Sequence, residues 1–171
     1  MAETGQRLHE TLLIGVFCGF FFFYGLSAVG LLGADEPRYA QVAREMLARG
    51  DWVTPTLWGK PWLEKPPLFY WGALISYWLL GVRDWAARVP SAALATLMVF
   101  GLYFFLRRFF RGAELGGAFI AASTVAIFGF ARGGETDMSL AACFTLAMLA
   151  WLAWHGNGER KFLAGFSYSF L

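Results

Sequence analysis

The sequence predicts an all-α integral membrane protein: a polytopic helix bundle of about four complete spans and a partial fifth, with interfacial helices in its first outer loop. Three observations predict it. Of the 171 residues, 58% are hydrophobic and only 15% charged, where a soluble domain carries about a quarter. The charges gather in short blocks between charge-free apolar runs. Six of the eight tryptophans fall between Trp52 and Trp85, and tryptophan favours the headgroup level. A net charge of +2 without a basic block excludes nucleic acid as a partner and leaves membrane lipids. Cys18 and Cys143 lie inside apolar runs, and His9 and His155 stand at opposite ends of the chain, so neither a disulfide framework nor a metal cluster is indicated.

The elements follow in order. Leu12–Leu32 has no charge and is long enough for a span of about 20 residues. Asp35-Glu36-Pro37 marks a helix start, with an acidic cap and proline in the first turn. Tyr39, Val42, Ala43, Met46 and Leu47 recur at helical spacing opposite Arg38, Gln41, Arg44, Glu45 and Arg49, and Gly50 is a stop. A helix over 36–49 with that pattern lies in the interface plane. Asp51–Pro67 contains Pro55, Pro61, Pro66 and Pro67 and reads as an ordered loop. The apolar stretch 68–81 is too short for a span and reads as a second interfacial helix. Spans are expected at about 88–106, 115–131 and 138–154, with a partial one at 162–171.

Orientation follows from parity. If 68–81 does not cross, the Arg107-Arg108-Phe-Phe-Arg111 turn and the Arg160-Lys161 turn share the side of the N-terminus, which the positive-inside rule makes cytoplasmic. Asp35 and Asp137 then both face outward.

Four motifs carry a resemblance: Gly33-Ala-Asp-Glu-Pro-Arg-Tyr-Ala, Trp62-Leu-Glu-Lys-Pro-Pro-Leu-Phe-Tyr-Trp, Ala87-Arg-Val-Pro-Ser-Ala and Gly133-Gly-Glu-Thr-Asp137. In this order they resemble the N-terminal part of the polyprenyl-phosphate-dependent GT-C glycosyltransferases, which include aminoarabinose transferases acting on lipid A and protein O-mannosyltransferases. The resemblance covers nearly all of residues 1–171 and implies a longer chain with further spans, of which this is the N-terminal transmembrane portion. It also implies the activity: a sugar moves from a polyprenyl-phosphate donor to a lipid A, glycan or protein acceptor at the outer face of the inner membrane. The phosphate is already a leaving group, so no cofactor is required.

Such chemistry needs a carboxylate beside the anomeric carbon, a cation for the departing phosphate, and aromatic walls. The resemblance assigns the first to Asp35, with Glu36 beside it and Asp137 as a second acidic position. On sequence alone Asp35 reads equally as a helix cap, and Asp137 reads more readily as a cap than as a catalytic group. Lys65 is the phosphate ligand the Glu-Lys-Pro-Pro motif implies, against the alternative of a snorkelling lysine. Lys60 and Arg132 are further phosphate contacts, Glu64 orients Lys65, and Tyr39 stacks on sugar or prenyl chain. In some relatives the glutamate matching Glu64 shares a metal with a downstream histidine. This chain has no such histidine, and no metal is expected. Two other classes stay open: a transport or assembly subunit, and a catalytically inactive truncated protein. Every charge sits at a span end, which counts against transport.

Overall fold

The computed structural model describes residues 2–157, so the expected partial span at 162–171 and the Arg160-Lys161 turn lie outside it. The described chain is mostly helical. Helix α1 (Ala2–Cys18) continues through a wider π-type turn, Gly19–Phe23. It starts earlier than the apolar run and stops nine residues before Leu32, where the sequence placed the end of the span. The reason is local. Gly25 has φ +72°, a conformation that breaks a helix, and two arginines supply the hydrogen bonds a helix would have used. Arg132 Nη1 donates to the carbonyls of Phe21 (2.9 Å) and Tyr24 (2.8 Å). Arg88 donates to those of Leu26, Val29 and Gly30.

Helix α2 (Asp35–Arg49) follows, ended by Gly50 in the left-handed conformation. Within the stretch expected to be a loop lies a small hairpin, β1 (Thr56–Leu57) paired antiparallel with β2 (Lys60–Pro61). Its two turn residues, Trp58 and Gly59, both have positive φ, as the tightest hairpin turns require. The Glu45 carboxylate holds that turn, accepting from Thr56 Oγ1 (2.7 Å) and from the Trp58 and Gly59 amides.

Helix α3 (Leu68–Leu80) has 13 residues, about 20 Å of helix, too short for a hydrocarbon core of about 30 Å. Helix α4 (Asp84–Phe109) is the long one, with Pro90 in its early turns. Helices α5 (Glu114–Ser123) and α6 (Val125–Ala131) occupy the expected third span but meet at 64°. At the joint Thr124 is extended and its hydroxyl bonds the Ile120 carbonyl. Helix α7 (Asp137–Asn157) closes the described chain. Among the described residues α4 and α7 are long and apolar enough to cross a membrane, and the bent α5–α6 pair makes a third if it counts as one span.

Two cores share α4. One joins Ile14, Cys18 and Phe22 of α1 to Ala95, Met98, Val99 and Tyr103 of α4, Ala118 and Ala122 of α5, and Met138 of α7. The other joins Tyr39, Val42 and Met46 of α2 to Phe69, Tyr70, Leu74 and Tyr77 of α3 and to Ala86 and Ala87. Helices α2 and α3 therefore form a layer over the N-terminal end of α4, and Gly72 permits it: a Cβ there would sit 2.8 Å from Pro90 Cβ.

Candidate active site

The first turn of α2 carries two adjacent acids with opposite surroundings. Successive helix residues point about 100° apart, so one of the pair faces the core and the other faces water. Glu36 is the inward one, only 3% exposed. Its carboxylate accepts from Arg88 Nε (3.0 Å) and Nη2 (2.7 Å), and from the amides of Leu32 and Gly134 (2.6 Å each). Burial pushes its carboxyl up, but the bonds from Arg88, Leu32 and Gly134 outweigh that and hold it below the usual carboxylate range. Both of its oxygens are occupied, whereas the sequence expects Glu36 beside Asp35 in the chemical step. It ties together the loop before α2, the start of α4 and the glycine pair before α7.

Asp35 is the outward acid, half exposed and paired with Arg38 at 2.9 Å. The residue capping α2 is Ala34, with no side-chain hydrogen bond, so the alternative of Asp35 as the N-cap is not what this geometry uses. Arg38 also lies 5.6 Å over the Trp62 ring. One turn on, Tyr39 is buried. Burial raises its hydroxyl pKa, the Asp35 charge adds to this, and Lys65 and Arg38 oppose it. The charges of Asp35, Lys65 and Arg38 are all felt at the Tyr39 hydroxyl. Beside it stands Tyr70, with ring centroids 6.3 Å apart. The Tyr70 hydroxyl is pushed up to about 12, first by burial and then by the charges of Tyr39 and Glu64. Tyr70 Oη and Trp62 Nε1 are buried near each other, Trp62 opposing the rise of the Tyr70 hydroxyl, but neither makes a hydrogen bond of good geometry.

The loop before α7 closes the acidic side. Asp137 is exposed at the first position of α7. Glu135, half-buried, has its carboxyl pushed up by burial first, then by the charges of Asp137, Glu36 and Asp35, and by a hydrogen bond with Asp137. The Gly134–Glu36 hydrogen bond joins this loop to the first turn of α2, so Asp35 and Asp137, 102 positions apart in the chain, belong to segments in contact.

The remaining expected residues are placed differently. Arg132, expected as a phosphate contact, is engaged with the end of α1 and lies 5.3 Å over the Phe128 ring. Lys60 is exposed on β2, and Glu64 is exposed beside Lys65. Among the described residues no three His, Cys, Asp or Glu side chains gather to hold a metal. Sequence reasoning passed over Arg38, Glu135 and Arg88. The Arg-Tyr following Asp-Glu-Pro was the available signal for Arg38. An open cavity of about 790 Å3 borders the same turn of α2, lined by Ala34, Pro37, Arg38, Arg44, Trp58 and Arg83 among others.

The family model described as dolichyl-phosphate-mannose-protein mannosyltransferase matches residues 64–168, beginning within the Glu-Lys-Pro-Pro motif. The undecaprenyl phosphate-alpha-4-amino-4-deoxy-L-arabinose arabinosyl transferase of Serratia proteamaculans is 35% identical over 82% of this chain and 26% of its own length. The protein of the same description from Pseudomonas paraeruginosa is 32% identical over 95% of this chain and 30% of its own. The crystal structure of ArnT from Cupriavidus metallidurans bound to undecaprenyl phosphate superposes with a TM-score of 0.82 at 27% identity, covering 92% of this chain and 30% of that one. The chain thus spans between a quarter and a third of the length of the relatives it matches. It belongs to the dolichyl-phosphate-mannose-protein mannosyltransferase family, among the polyprenyl-phosphate-dependent GT-C glycosyltransferases.

Proposed function

We propose that this chain forms the front half of the active site of a membrane glycosyltransferase. In this reading a sugar leaves a polyprenyl-phosphate donor, aminoarabinose being the sugar its curated relatives are named for. It passes to a hydroxyl of a lipid A, glycan or protein acceptor at the periplasmic face of the inner membrane. The observation that carries the reading is the exposed Asp35–Arg38 pair, with Arg38 over the Trp62 ring, next to the buried Tyr70 Oη and Trp62 Nε1.

Each group has a task there. Arg38 and Lys65 take the phosphate oxygens, the first as a planar fork and the second as a point charge. The Tyr70 hydroxyl and the Trp62 N–H donate to phosphate or sugar oxygens. As the glycosidic C–O bond breaks, its electron pair stays with the phosphate. The acceptor oxygen bonds the anomeric carbon from the opposite face, inverting it, and Asp35 takes the acceptor's proton. Asp35 gives up its ion pair with Arg38 when phosphate binds, which frees the carboxylate for this task. Asp137 and Glu135 keep the acidic side negative and favour the positive charge developing on the sugar. Glu36 and Arg88 are positioning residues.

The test is transfer of labelled sugar from polyprenyl-phosphate aminoarabinose in membranes carrying the protein. Asp35→Asn and Lys65→Ala are each expected to lose about 100-fold or more in rate while inserting normally. Transfer at the wild-type rate in both variants would overturn the proposal.

A further inference from the structure

At the end of α4 remote from Glu36 lies a cavity that sugar transfer does not use. It measures about 370 Å3, and its walls include Arg7 of α1, Phe104, Arg107 and Arg108 of α4, Arg111 in the following turn and Glu114 of α5. Counting along α4 from Arg88 to Arg107 at 1.5 Å per residue gives roughly 28 Å, close to the hydrocarbon thickness of about 30 Å. If the candidate active site lies at one headgroup layer, this cavity lies at the other.

The wall is built rather than incidental. Arg107 is fixed by Glu10 at 2.7 Å, by the Tyr103 hydroxyl at 3.1 Å and by Glu114 at 3.9 Å. Glu10 in turn accepts from Tyr103 at 2.8 Å. Arg7 and Arg111 are exposed and, with Arg108, add three positive charges to the same wall. Phe104 and Arg108 also line a second, mostly apolar cavity of about 490 Å3 between α4 and α7, with Phe109, Leu146, Leu149 and Ala153. A basic pocket at headgroup depth and an apolar groove at chain depth therefore share two residues.

We propose that this pair of cavities binds an anionic phospholipid, its phosphate on the arginines and one acyl chain in the α4–α7 groove. Charge complementarity selects this occupant. Guanidinium groups pair with phosphate as forks, and basic pockets between spans on the cytoplasmic side hold anionic headgroups. The proposal does not depend on the sugar-transfer reading, since the two sites share no residue.

Native mass spectrometry of the detergent-purified protein tests it, with dioleoylphosphatidylglycerol, dioleoylphosphatidylcholine or inorganic phosphate as probe. Phosphatidylglycerol is expected to bind at least tenfold more tightly than phosphatidylcholine, and inorganic phosphate only weakly. Arg7→Gln/Arg111→Gln lowers the phosphatidylglycerol affinity roughly thirtyfold. The control Arg44→Gln/Arg83→Gln, equal in charge and remote from the cavity, leaves it unchanged. Equal binding of the two lipids, or equal loss in the control pair, overturns the proposal. Inorganic phosphate binding as tightly as the lipid overturns it too, making this a site for free anions. The wild-type comparisons decide the matter if the double variant fails to insert.

Discussion

Arg88 and Glu36 are each at most 5% exposed as side chains, and neither charge has water to fall back on. Removing one partner of such a pair strands the other and costs about 3–5 kcal/mol. Glu36→Ala is therefore expected to lower the melting temperature of the detergent-purified protein by several degrees or to prevent folding. Arg88→Ala adds the loss of three carbonyl partners in the loop before α2. A pair of variants melting with the wild type would show that the carboxylate and guanidinium are dispensable.

Glu45 gives a pH prediction at the same scale. Burial raises its carboxyl pKa, but the bonds from Thr56, Gln41, Gly59 and Trp58 prevail and hold it at about 2, against an ordinary value of 4.5. A folded pKa below the unfolded one stabilises above about pH 4.5, and that stability is lost as pH falls toward 2. With solvent screening the amount is on the order of 1 kcal/mol. The stability difference between wild type and Glu45→Gln should accordingly be largest near neutral pH and narrow progressively between pH 5 and pH 2. A difference constant over that range would mean the carboxylate charge is not what holds the hairpin.

For the elements, contacts at glycine separate two kinds of close approach. At Gly72 a Cβ would meet the Pro90 ring at 2.8 Å, and that ring is fixed in α4. At Gly117 it would meet only the tip of Leu106, at Cδ1, which can rotate away. Alanine gains about 1 kcal/mol of helix propensity over glycine, while overpacking a rigid contact costs about 1–3 kcal/mol. Gly72→Ala should destabilise the protein and loosen α2–α3 from α4, whereas Gly117→Ala should be neutral or mildly stabilising. Thermal melting of the two single variants checks the contrast, and equal melting temperatures would refute it. The 64° break between α5 and α6 belongs to this scale too. Hydropathy reads straight across Thr124, because a bend changes which backbone bonds are made and leaves composition untouched.

Across the whole molecule, the ends of α4 define two surfaces. Asp35 and Asp137 belong to segments joined at one end by the Glu36–Gly134 bond, and Ala113 lies in the arginine-rich turn at the other. Cysteines placed at Asp35 and Asp137 should react with a membrane-impermeant maleimide added to the periplasm, and one at Ala113 only after the cytoplasm is opened. Cys18 is buried and Cys143 half-buried, which keeps the background low. Labelling of the Asp35 and Ala113 positions from one side would overturn the orientation.

The helical membrane class, the apolar runs of α4 and α7, the start and stop of α2, and the family all follow from local pattern: hydropathy, capping residues, and motifs readable in a few consecutive letters. Which member of Asp35-Glu36 meets solvent does not, because it depends on how α2 is rolled against α3 and α4. For the same reason Arg88 and Arg132 read as charges flanking spans, yet each turns inward to bind carbonyls of the loop after α1. The loop carrying Glu135 meets the first turn of α2 only through chain folding across about a hundred residues. Local pattern fixes what a segment is, whereas burial and partnership are properties of contacts between segments, and those were decided by the packing of α2, α4 and the loop before α7.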